Sequence, residues 1–148
     1  MDHTHHNIAV NNYKLAFSAT VHCLIGCGLG EVLGMIIAVP LGLSNHTSML
    51  LAIVLGIIGG FSLGIIPLRR AGFPWKFALK QVFIAEGLSI AVMETFEVLV
   101  QVYTPGVMEA GLGDLIFWQG MLLGLIAGFI AAYPVNYIFV KKGIRHRH

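Results

Sequence analysis

Charge is what this chain has least of. Only 11% of its 148 residues are Asp, Glu, Lys or Arg, while 57% are hydrophobic; a soluble domain carries about 25% charge. That scarcity excludes an ordinary water-soluble domain and indicates an integral membrane protein. The length allows one compact membrane domain with short loops and no separate soluble catalytic domain. The chain has only two cysteines. Cys23 and Cys27 both lie inside an apolar run, which excludes an extracellular disulfide framework. No Ser-His-Asp order, phosphate loop or soluble-cofactor motif occurs, so no enzyme is expected. The few basic residues give no support to nucleic-acid binding. The first apolar run is too long for a cleavable signal, contains Glu31 and lacks a clear cleavage site.

Four apolar stretches are present, each near the roughly 20 residues that span a bilayer. They run from about Leu15 to Leu43, Ser48 to Leu68, Gln81 to Tyr103 and Leu115 to Val140. Ser44-Asn45-His46-Thr47 reads as a tight turn, Thr104-Pro105-Gly106 as the stop of the third helix, and Asp114 as a cap for the fourth. The third stretch holds Glu86, Glu94 and Glu97 and would insert poorly alone, so it is expected to be shielded by its neighbours. With four spans, every Lys and Arg falls on one side. Lys14 precedes the first, Arg69, Arg70, Lys76 and Lys80 lie between the second and third, and Lys141, Lys142, Arg145 and Arg147 follow the fourth. The positive-inside rule then places both termini in the cytoplasm. Residues 1–14 form a His-containing tail, 15–140 the transmembrane domain and 141–148 a basic tail. The loop with Phe73, Pro74 and Trp75 among its basic residues reads as an anchor to anionic lipid.

Glycine recurs every four residues at Gly26, Gly30 and Gly34, at Gly56, Gly60 and Gly64, and at Gly120, Gly124 and Gly128. This spacing lets helix backbones approach closely, within a bundle or a homo-oligomer. An internal repeat is also visible. Glu31-Val32-Leu33 recurs as Glu97-Val98-Leu99, and the second glycine triplet with Phe61 and Pro67 recurs as Gly128-Phe129 and Pro134. The expected fold is therefore an all-α, four-transmembrane-helix bundle built as two parallel-repeat helical hairpins. In this alignment Cys27 corresponds to Met93, and Glu31 to Glu97.

The polar residues within the apolar runs carry the chemistry. An ionisable group in hydrocarbon costs about 2.5–3.5 kcal/mol on insertion scales, so such groups face inward. Cys23, Cys27 and Glu31 form one stripe on the first helix, rising about 12 Å and extended by Met35; His22 points about 100° away. On the third helix Glu86, Met93 and Glu97 share a face, with Glu94 beside it. Thiolate and thioether suit Cu(I), imidazole suits copper and zinc, and carboxylates suit harder ions or carry protons. The His-Cys-x3-Cys spacing differs from the CxxC pattern of zinc sites. The terminal histidines, at Met1-Asp2-His3-Thr4-His5-His6 and Arg145-His146-Arg147-His148, can collect metal or form solvated tails.

The run from His22 to Met35 (HC-x3-C-x3-E-V-L-G-M), with Leu88 to Glu94 and Pro105 to Asp114, closely resembles a bacterial membrane family, the domain of unknown function 4396. The resemblance spans about Phe17 to Val140. It implies a small multi-helix membrane domain in a bacterial cytoplasmic membrane and brings no established activity. The N-terminal histidines lie outside it.

The leading expectation is a protein that binds and translocates a soft metal ion, Cu(I) first, through Cys23, Cys27, His22 and Met93, with Glu31, Glu86, Glu94 and Glu97 lining the path. A second reading is a proton or cation conduit in which the sulfurs only pack. A third is an accessory subunit of a larger membrane complex, holding haem through His22. The expected partners are membrane lipid, the metal ion and further copies of the chain.

Overall fold

Three glycines close the connections. Gly42, Gly72 and Gly106 have φ of 62°, 90° and 83°, a backbone region that L side chains rarely occupy. Between them the chain forms four helices in a computed structural model that describes the backbone of residues 3–142 and the side chains of residues 12–142. These are α1 (His3–Ala38), α2 (Asn45–Arg70), α3 (Trp75–Tyr103) and α4 (Leu115–Lys141). The N-terminal histidines and Arg145 to His148 lie outside the described side chains.

Helix boundaries depart from the sequence expectation where local chemistry competes. The Ser44 to Thr47 segment is not a free turn. Ser44 is the N-cap of α2, its Oγ accepting from the Thr47 amide at 3.4 Å, and Asn45 already begins the helix. α1 stops at Ala38 rather than Leu43, with Pro40 two residues beyond, where proline commonly follows a helix end. α3 starts at Trp75, because the Pro74 carbonyl accepts from the Ala78 amide. Asp114 occupies the N-cap position of α4 but makes no capping hydrogen bond to it. Its Oδ2 accepts instead from the Gly111 amide at 2.8 Å, which folds the preceding loop back.

Each helix packs antiparallel on its sequence neighbour, α4 closes against α1, and α1 meets α3 across the diagonal. The first glycine stripe sets the α1–α2 distance. A Cβ on Gly26 would stand 2.8 Å from the Gly60 Cα, one on Gly30 2.7 Å from the Gly56 Cα, and one on Gly34 2.5 Å from the Ala52 Cα. The two backbones are thus in contact, as a small-xxx-small stripe permits. α1 and α4 are joined by a buried hydrogen bond in which Asn136 Nδ2 donates to Thr20 Oγ1 at 2.9 Å.

The bundle turns polar groups inward among small apolar residues and leaves its large apolar side chains outside. Thr20, Glu31, Ser89, Glu94, Glu97 and Asn136 are buried, while Phe83, Leu88, Phe96 and Leu99 on α3 and Leu29, Leu122 and Ile130 elsewhere are exposed. A soluble bundle has the reverse arrangement. Residues 12–38, α2 and α4 are each long and apolar enough to cross a membrane. α3 misses that criterion through Lys76, Lys80 and its three glutamates, yet it turns Glu94 and Glu97 inward and its phenylalanines outward. The chain is a membrane protein with a four-helix bundle.

Candidate functional site

α1 and α3 carry the reactive side chains, and α2 and α4 supply room for them. On α1 the four-residue spacing aligns Cys23, Cys27 and Glu31. Cys23 and Cys27 are buried, not disulfide-bonded, and form one core cluster with Met93, Ile90 and Ala132. One turn farther along, one oxygen from each of Glu31, Glu94 and Glu97 lies within 4.8 Å of the others, all three residues being buried. The sulfur and carboxylate groups adjoin. A Cβ on Gly56 would stand 2.6 Å from Glu94 Oε1 and 3.3 Å from both Glu31 Cγ and the Cys27 carbonyl oxygen. One on Gly60 would stand 3.2 Å from Cys27 Sγ, and one on Gly128 2.9 Å from Glu97 Oε1 and from Met93 Cγ. The second and third glycine stripes therefore make room for functional side chains as well as bringing helices together.

The two hairpins build this arrangement in the same way. Gly60 faces Cys27 in the first, and Gly128 faces Met93 in the second. Gly56 faces Glu31, and Gly124 faces Glu97, with a virtual Cβ 3.7 Å from the Glu97 Cβ. These are the pairs that the internal repeat aligns, so Glu31 and Glu97 meet as equivalent residues of two equivalent hairpins.

The carboxylates are poorly satisfied. Among the described residues, neither oxygen of Glu94 or Glu97 has a hydrogen-bond partner, nor does Ser89 Oγ. Glu31 Oε2 accepts a long bond of 3.4 Å from Gln101 Nε2. At 4.8 Å two bare carboxylates repel by about 3.5 kcal/mol at an effective dielectric constant of about 20. Three together in a buried core need protons or a cation between them.

A cavity lies at each end of the bundle, and the distal one reaches this centre at Glu31. The distal one, away from the chain termini, has a volume of about 230 Å³ and is bordered by Glu31, Gln101 and Glu109. The other, at the end of the chain termini, is of equal volume and is bordered by His22, Gln81 and Glu86. The structure thus divides the expected site residues. Cys23, Cys27 and Met93 converge, as do Glu31, Glu94 and Glu97. His22 and Glu86 do not join them. His22 is exposed, its Nδ1 donating to the Ser18 carbonyl at 2.8 Å. Glu86 is half-buried in the terminal cavity, and Gly64 makes room for its carboxyl, whose carbon would lie 2.8 Å from a Cβ there.

Gln101 and the Thr20–Asn136 link were not anticipated. Each is a polar residue inside or at the end of an apolar run, the same signal that marked the glutamates.

No curated protein and no solved structure matches the chain. A family model described as domain of unknown function (DUF4396) matches residues 12–145. With nearly the whole chain inside that match, and the motif-bearing helices α1 and α3 building the shared core, the protein belongs to the DUF4396 family.

Proposed function

We propose that this protein binds a soft monovalent cation, Cu(I), inside the membrane and carries it across, with buried carboxylates exchanging protons for the ion's charge. The observation that carries this reading is the adjacency of two ligand sets in one buried core: Cys23, Cys27 and Met93 beside Glu31, Glu94 and Glu97. Thiolate and thioether select Cu(I) over harder ions. Thiols must lose their protons to bind it, and the unpartnered oxygens of Glu94 and Glu97 are acceptors within the same core. The distal cavity opens onto Glu31 of the cluster, and a second cavity lies at the opposite end beside His22 and Glu86. On this reading the end with the termini faces the cytoplasm of a bacterial cytoplasmic membrane, which the basic residues at that end favour under the positive-inside rule.

A second reading has its own support. The carboxylate cluster is an all-oxygen site, and oxygen ligands suit protons or hard cations. The protein is then a proton or cation conduit, and the sulfurs pack. Anaerobic titration of purified, tag-free protein with Cu(I) in a chelator buffer separates the two. Cys23→Ser with Cys27→Ser abolishes high-affinity binding if the sulfurs are ligands. Unchanged affinity in that variant contradicts the soft-metal reading and leaves the conduit.

A further inference from the structure

Four of the chain's six methionines, Met35, Met49, Met108 and Met121, border the distal cavity. They come from four separate elements: α1, α2, the α3–α4 connection and α4. A fifth, Met93, is in the sulfur cluster of the core. Methionine is commonly an adaptable filler of apolar gaps. Here the side chains surround an open space of about 230 Å³ instead of filling it. Met35, Met49 and Met108 are half-buried on its walls, and Met121 is buried, its methyl reaching to 3.9 Å from where a Cβ would stand on Gly28 of α1.

We propose that this cavity is a second metal site, a thioether vestibule that captures Cu(I), or its soft d10 analogue Ag(I), before the ion enters the core. This rests on the soft-metal reading and adds its point of entry. Thioethers are neutral, soft donors, so they bind a monovalent ion with no proton to displace and hold it less firmly than thiolates. A capture site needs that weaker hold if it is to pass the ion on. The route onward is laid out on α1. Met35 is one turn from Glu31, Glu31 one turn from Cys27, and Cys27 one turn from Cys23. Glu31 belongs both to the wall of the vestibule and to the carboxylate cluster. An ion leaving the methionines therefore meets a carboxylate and then the thiols, each step about 6 Å along the helix.

The test is Ag(I) titration of the full-length protein in detergent, by calorimetry with bound metal counted by elemental analysis. The wild-type protein takes up two classes of Ag(I). The triple variant Met49→Leu, Met108→Leu and Met121→Leu conserves volume, which cores tolerate, and loses the weaker class while keeping the tighter one. Cys23→Ser with Cys27→Ser shows the converse. A triple-leucine protein with wild-type stoichiometry and affinities overturns the vestibule and leaves the core reading standing. Loss of nothing in the double-serine protein, with loss of all binding in the triple-leucine protein, overturns the core reading and keeps the vestibule as a metal site. No binding by the wild type overturns both. If the triple variant does not fold, Met49→Leu and Met108→Leu are tested singly. Each should weaken the lower-affinity class roughly tenfold, and no change in either overturns the proposal.

Discussion

Gly30→Ala should loosen the bundle although it adds a single methyl group. The new Cβ would stand 2.7 Å from the Gly56 Cα and nearer still to the Leu55 carbonyl. Carbon atoms pack best at about 3.5–4.0 Å, so α1 and α2 must separate by about 1 Å at this level. Both neighbours are backbone, and no side-chain rotation relieves the contact. A gap of 0.5–1 Å forfeits about a quarter to a half of the dispersion energy of the atoms it parts, and the loss extends along a stripe that includes Gly26 and Gly34. Overpacking of this kind costs about 1–3 kcal/mol. Gly28→Ala is the matched control. It lies two residues away on the same helix, and its Cβ would meet only the Leu125 side chain at 3.4 Å, with Met121 Cε at 3.9 Å. Those side chains can move, and alanine favours helix over glycine by about 1 kcal/mol. Thermal unfolding of both proteins in one detergent should show a clear fall in Tm for Gly30→Ala and little change or a rise for Gly28→Ala. Equal effects from the two substitutions would refute backbone contact between α1 and α2.

Three further outcomes follow from the same geometry. Glu97→Gln keeps the volume beside Gly128 but removes an ionisable group from the cluster; metal transport into liposomes should fall roughly tenfold or more, while Cu(I) affinity at the cysteines stays close to wild type. Asn136→Ala deletes the 2.9 Å bond to Thr20, and since such bonds in membrane bundles average about 0.6 kcal/mol with a maximum near 1.7, Tm should fall modestly and Thr20→Val should add little more in the double variant. Reporter fusions in the 71–74 connection and after residue 142 should read cytoplasmic, and fusions near Asn45 or Glu109 external; an external C-terminal fusion would contradict four spans.

The fold was largely legible because its signals are local. Apolar run length gave the helix number, and Gly42, Gly72 and Gly106 lie where the chain turns. The stripe of Cys23, Cys27 and Glu31 followed from helical spacing. The diagonal meeting of α1 and α3 could be compared in advance only by depth, because neither helix alone reveals which neighbour it faces. The internal repeat supplied that information in outline, since it paired Glu31 with Glu97 and Cys27 with Met93. His22 was harder to place. Its neighbour Cys23 turns into the core, but a step of 100° carries the imidazole outward, where the Ser18 carbonyl accepts its Nδ1 proton. The methionine-lined cavity was not legible at all. Its four members are scattered between residues 35 and 121, and only the closed bundle brings them around one cavity.

The role of the glycines was half legible. Their spacing foretold close helix contact, which Gly26, Gly30 and Gly34 make. Gly56, Gly60 and Gly128 also accommodate Glu94, Cys27 and Glu97, a second role that depends on which side chains face them.

Metal uptake coupled to proton movement tests the central claim most directly. Protein in sealed vesicles is given Cu(I) from an anaerobic chelator buffer, and internal metal and internal pH are followed together. The account predicts that wild-type protein accumulates Cu(I) with a simultaneous proton flux, and that Cys23→Ser with Cys27→Ser loses both signals. Proton flux that persists without Cu(I) and is unchanged in the double-serine protein would contradict it.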